Sequence, residues 1–443
     1  MNSHEKPISL IKYWHYKILF IFCNFLILSS VHALPSFARQ TGQNCVACHA
    51  GGQFPELTPY GRLFKMTGYT IGERGNPLAV MAVASYTKSA TPTADAAFAK
   101  DAVALFQTGS VFVAGKITNN VGIFAQFTYN NYSSQNTDTN QWEGKWGSDN
   151  FDLRYADRYI DANRDLIFGF SVNNNPSISD PWNTAPAWLQ YVPTGFGVTG
   201  ADASPIITQL GSQVAGTGAY IFLNQTIYAE ISGYQTANGS FSFLSKGIAN
   251  TDQTKLKGIN PYIRLALSHD WGPHSAMVGL LAMNTDVYPD NLTLAGPTIK
   301  YRDRGVDAQY QYLLDPHSVT AQISYVRETI NNGDITGVSA NASNTLNQLK
   351  MKASYIYRAK YGGSLSYFST TGTSDNILYP DPASNPDTRG FVPELFWTPV
   401  QYLRIGAQYY RFNRFHGASV NYDGSGRNAK DNNTFFLYAW GAY

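Results

Sequence analysis

The stretch "VGIFAQFTYN" at residues 121–130 sets Val121, Ile123, Ala125, Phe127 and Tyr129 on one side and Gln126, Thr128 and Asn130 on the other. A period of two is the pattern of a β-strand, whose successive side chains leave opposite faces of a sheet. The pattern recurs along the chain. "GVDAQYQY" sets Val306, Ala308, Tyr310 and Tyr312 against Asp307, Gln309 and Gln311, and "SVTAQISY" sets Val319, Ala321, Ile323 and Tyr325 against Thr320, Gln322 and Ser324. "LKMKASYIY" opposes Leu349, Met351, Ala353 and Tyr355 to Lys350, Lys352 and Ser354, and "YLRIGAQYY" opposes Leu403, Ile405, Ala407 and Tyr409 to Arg404 and Gln408. No helical period is found between 78 and 443.

Alternation alone fits a soluble sandwich or propeller as well as a membrane barrel, so the connections decide. About sixteen strands are expected over 77–443, and the gaps between them run long, short, long, short. The short ones include "TNN", "DAN", "WGP", "LDPH", "AKY" and "TPV"; the long ones include 133–150, 175–214 and 237–256. Transmembrane barrels have an even number of strands, short periplasmic turns and longer outer loops, and tilted strands of about 9–11 residues cross the bilayer. The chain closes on "NTFFLYAWGAY", which resembles the aromatic C-terminal strand by which outer-membrane barrels are recognised for insertion. Backbone groups in lipid must pair internally, so such a sheet must close on itself. The expected fold is all-β: a transmembrane antiparallel β-barrel. The longest connection, 175–214, resembles in position and length the third outer loop of general porins, which folds inward. Its Trp182 and Trp188 are expected to pack that loop. Acidic loop residues such as Asp180 and Asp381 are expected to be solvated.

Composition agrees. Charged residues are 14 % of the 443, against roughly 25 % in an average soluble domain, while aromatics, led by 30 tyrosines, match them at 14 %. Residues 1–33 read as a secretory leader: Lys6, Lys12 and Lys17 precede the apolar "ILFIFCNFLILSS", and "VHA" offers small residues for cleavage before Leu34. The apolar run is short of the roughly 18 residues of a membrane anchor. Removing the leader takes three lysines and one glutamate from 32 basic and 30 acidic side chains, leaving 29 of each. No basic bias remains that would ask for nucleic acid. Cys23 leaves with the leader, so Cys45 and Cys48 are the only cysteines of the mature chain.

Those two belong to "CVACH" at 45–49. A structural zinc site wants four ligands, and there is no second cysteine pair. A redox dithiol sits where a strand meets a helix, whereas both flanks here are loop-like. C-x-x-C-H in an exported chain fits c-type haem attachment: two thiols form thioethers to the vinyl groups, and the adjacent His49 coordinates iron from one side. One covalent haem c on Cys45, Cys48 and His49 is expected. Met66, in "GRLFKMTGYT", is the candidate distal ligand; its other reading is packing on a short amphipathic helix from Leu57 to Thr67. Arg39 and Arg62 are candidate partners for the propionates. His269, His274 and His317 lie beside short turns, either near the haem or as ordinary turn residues. The haem-binding domain spans roughly 34–76, too short to bury much core of its own. It is expected at the periplasmic mouth of the barrel or within it.

With both halves in view, "LPSFARQTGQNCVACH" at 34–49 and "FPELTPYGRLFKMTGYT" at 54–70, followed by a barrel of this size, resemble the fused outer-membrane cytochrome–porin family of iron-oxidising bacteria. The resemblance implies an electron conduit, a possible Fe(II) oxidase, in which extracellular Fe(II) reduces the haem and electrons pass to a periplasmic carrier such as a soluble cytochrome c. The other readings are a conduit for a different extracellular donor or acceptor, and a porin whose haem domain is a plug or a sensor.

Overall fold

The computed structural model describes residues 35–52, 56–91, 102, 104–136, 138–139, 142–184, 203–246, 253–333, 335–379 and 384–443. The leader, Trp188 and Asp381 lie outside the described residues. Three short helices come first: α1 (Pro35–Thr41), α2 (Cys45–Cys48) and α3 (Pro59–Met66). Strands follow as β1 (Leu78–Ser89), β2 (Ala104–Lys116), β3 (Val121–Gln135), β4 (Trp142–Ile160) and β5 (Asp165–Asn173). A fourth short helix, α4 (Pro176–Ser179), precedes β6 (Val214–Leu223), β7 (Ile227–Thr236), β8 (Asn260–Trp271), β9 (His274–Val287) and β10 (Ile299–Leu314). The last six are β11 (His317–Asn331), β12 (Ser343–Tyr357), β13 (Tyr361–Gly372), β14 (Thr388–Val400), β15 (Leu403–Arg414) and β16 (Thr434–Ala442).

Each strand pairs antiparallel with its sequence neighbours, and β1 pairs with β16, with Met81 opposite Ala442 and Ser89 opposite Thr434. The result is a closed barrel of sixteen strands. The alternating pattern finds its cause here. Apolar Ile263, Leu265, Val278, Leu280 and Val306 are exposed on the outer face. Polar Gln309, Gln311, Thr320, Gln322 and Ser324 are buried and face the lumen. Apolar outside and polar inside inverts a water-soluble protein, and suits a sheet whose outer face meets hydrocarbon. β3 and β4 reach further than the alternation indicated, pairing Gln135 with Trp142. The "EGKWGSDN" run at the start of β4 carries glycine and charge rather than alternation, which hid the strand.

The three histidines beside the short turns face outward, away from the lumen. His269, Trp271 and His274 stack in a row at 5.4 Å between successive ring centroids. His274 Nδ1 lies 2.8 Å from the Tyr310 hydroxyl and His317 Nδ1 2.8 Å from that of Tyr355. They belong to an aromatic girdle at the short-turn end, where an amphipathic ring is well placed.

The long connection after β5 folds inward, as its length suggested. Asp180 is fully buried, which corrects the expectation that it is solvated: it lies 3.1 Å from the Arg264 guanidinium on β8. Arg264 in turn pairs with Asp307 on β10 at 2.7 Å. Trp182 packs the same loop, edge-on to Tyr228 at 5.5 Å and flanked by the guanidinium groups of Arg62 and Arg264. Further along, the backbone N–H groups of Ile206 and Ile207 donate to Glu328 at 2.6 Å and Asp303 at 3.0 Å on the lumen wall. The connection is thus tied to the wall at both its described ends.

Candidate functional site

"LTPYGR" sets the local geometry around the cysteine motif. Thr58 caps α3, its hydroxyl accepting from Gly61 N at 3.1 Å, and Pro59 begins the helix, where its missing N–H costs nothing. The same segment clasps the motif: Thr58 N donates to Cys48 O at 2.9 Å and Ala50 N to Glu56 O at 2.9 Å. α3 then crosses so close to α2 that a Cβ on Gly61 would lie 2.1 Å from Cys48 O. Only glycine fits.

This unit sits inside the barrel at the short-turn end. Arg62 donates to Leu57 O at 2.8 Å, to Gln311 at 2.9 Å and to Ser275 at 2.6 Å, with Asp270 at 3.5 Å. Tyr69 donates its hydroxyl to Asp152 at 2.6 Å, and Tyr220 donates to Met66 O at 2.8 Å. Glu56 pairs with Lys352, Gly51 abuts Ile356, and Cys45 Sγ lies 3.3 Å from the Gln401 side chain in the turn before β15. Contacts therefore run from β4 round to β15, and the segment is a plug held by the lumen wall.

Between plug and wall lies a cavity of about 260 Å³. Cys45, Cys48 and His49 all face it, and its sides are Phe37, Leu57 and Phe64 from the plug with Met81, Phe112, Phe124 and Trp440 from the barrel. Polar groups, Lys65, Gln126, Asn150 and Asn183 among them, form part of its lining. Burial, and after it the neighbouring Cys45, push the Cys48 thiol up to about 11. Burial brings His49 down to about 3, so its imidazole is neutral, the form that donates a lone pair to a metal. Two thiols at the right spacing and a neutral imidazole, facing one largely apolar cavity with some polar groups in its lining, suit an apolar macrocycle bearing two carboxylates. The donor set fits a covalently held haem.

Other candidates fall elsewhere. Met66 is buried with Ile167, Trp182, Tyr220, Phe222 and Tyr228, and is not among the residues facing the cavity. In this structure it occupies the packing position of its alternative reading. Arg39 donates to the carbonyls of Asn76 and Leu78, and Arg62 is spent on the wall, so neither guanidinium faces the cavity. The barrel side of the cavity, Met81, Phe112, Phe124 and Trp440, was missed. Its signal was partial: these are large apolar side chains at lumen-facing positions, but other inward positions such as Ile167, Met277 and Val392 are apolar too, so the sequence alone did not single them out.

No family model matches the chain, and no curated protein matches it. Among solved structures, it is similar to the outer membrane channel DcaP of Acinetobacter baumannii, with 14 % identity and TM-score 0.46 over 83 % of this chain and 96 % of that one. It is also similar to Salmonella typhi OmpF in complex with daunomycin, at 12 % identity and TM-score 0.47 over 83 % and 97 % of the two chains. A loop-deletion mutant of Vibrio cholerae OmpT gives 9 % identity and TM-score 0.45 over 83 % and 98 %.

Proposed function

We propose that the protein is an outer-membrane electron conduit, with one c-type haem joined to Cys45 and Cys48 and ligated by His49, extracellular Fe(II) as substrate and a soluble periplasmic cytochrome c as acceptor. The observation that carries this reading is the convergence of those three residues on one apolar cavity inside a closed barrel. When bound, the haem supplies one-electron exchange. The chain's own residues hold it and exclude water: Phe37, Phe64, Phe112 and Phe124 line the cavity, and Gly61 lets α3 close over the motif. The plug explains why a porin-like barrel need not leak, since its side chains bond to the wall on β4, β9, β10 and β12 and its Met66 carbonyl accepts from Tyr220 on β6.

Washed outer membranes given Fe(II) from outside should develop the spectrum of reduced haem, and membranes carrying Cys45→Ala should not. A native chain without porphyrin mass ends the proposal. Another extracellular donor in place of Fe(II) would leave the haem spectrum intact and abolish only the response to Fe(II). A porin with a haem plug would instead show high ion conductance in planar bilayers.

A further inference from the structure

The motif supplies one axial ligand, and the cavity walls point to the other. Of the methionines among the described residues, Met66 and Met277 lie in one buried cluster, Met283 in another, and Met351 is exposed on the outer face. Met81 alone lines the cavity that Cys45, Cys48 and His49 share. His269, His274 and His317 face outward, and His416 lines a different pocket, at the long-loop end of the barrel. The lysine and the tyrosine on the cavity wall, stronger iron ligands than its amides and hydroxyls, are both engaged: Lys65 Nζ donates to Asp180 O at 3.0 Å and Tyr69 donates to Asp152 at 2.6 Å.

We infer that the sixth ligand comes from the barrel, not from the plug: the Met81 thioether on β1. This rests on the haem reading above. β1 directs Ala79, Met81 and Val83 to the lumen, and the residues paired with Met81 are small, Ala442 on β16 and Ser110 on β2. Small neighbours on both sides leave a long, flexible side chain room to swing towards the cavity. Met81 also sits on the seam where β1 meets β16 and closes the barrel. A haem attached to the plug and ligated by Met81 braces the plug against that seam. Methionine ligation raises the reduction potential relative to a second histidine, which suits accepting electrons from a metal ion outside the cell.

The test uses purified full-length holoprotein. Met81→Leu conserves volume and keeps the barrel intact; covalent haem mass should be unchanged. Its ferric spectrum should lose the methionine–iron charge-transfer band and turn high-spin, and the reduced form should bind carbon monoxide, which the native protein should refuse. Met81→His should restore a low-spin spectrum at a lower midpoint potential. Met66→Leu should leave every one of these readouts as in the native protein. A haem-loaded Met81→Leu protein with the native spectrum and no carbon monoxide binding overturns the inference while sparing the haem reading, as does transfer of these losses to Met66→Leu. A native chain without porphyrin overturns both.

Discussion

At the scale of the residue, the site depends on an absence of atoms. Gly61 meets Cys48 O at a distance that leaves no space for a methyl group. Adding one forces α3 off the motif, and overpacking of this kind costs about 1–3 kcal/mol. Gly61→Ala should therefore lower both the denaturation midpoint and the haem-loaded fraction measured by intact mass. Native loading together with native stability would show that the close crossing is unimportant. The proposed haem-attaching residues were legible because the chemistry proposed for them fixes their spacing: Cys45, Cys48 and His49 can be read from five letters. Met81, the ligand proposed from the barrel, was not, because a residue on another element becomes a candidate only once β1 has been folded beside the plug. Asp180 failed for the same reason. An aspartate in "SISDPW" reads as a solvated loop residue, and nothing nearby announces that Arg264 on β8 is its partner.

At the scale of the element, the inward connection hangs on that pair. Arg264 is shared between Asp180 of the loop and Asp307 of the wall, all three buried. Removing one member of a buried ion pair costs on the order of 3 kcal/mol or more, since the remaining charges stay out of water. Asp180→Asn should cost less than that, because Asp307 still holds Arg264 and the pair left behind is neutral, but it removes the loop's own tie to the wall. The loop should loosen before the barrel does, so single-channel conductance should rise at denaturant concentrations that leave the sheet signal unchanged. Equal conductance in variant and native chains would mean that the loop does not obstruct the lumen. The strands themselves were legible because one face of each meets lipid and the other polar side chains. Where that contrast fades, in the "EGKWGSDN" part of β4, the strand was not seen.

At the scale of the whole molecule, the inverted surface makes a claim about depth. Leu280 is exposed midway along β9, flanked by Leu265 on β8 and Val306 on β10, whereas Leu314 is exposed where β10 runs into a short turn. In water the two leucines are equivalent, and arginine at either would be harmless or favourable. In a bilayer they are not: a cation on the lipid face costs about 2–4 kcal/mol at the midplane and about 0–1 near the interface. Leu280→Arg should therefore lower stability by several-fold more than Leu314→Arg when unfolding is followed in lipid vesicles. The girdle of Trp271, His274 and Tyr310 marks the interface on that side, so substitutions between it and Leu280 should rank by distance from the short turns. Equal, small effects at both positions would place the apolar outer face against something other than hydrocarbon. The conduit would then lose the membrane it is proposed to cross, even if the haem site stood.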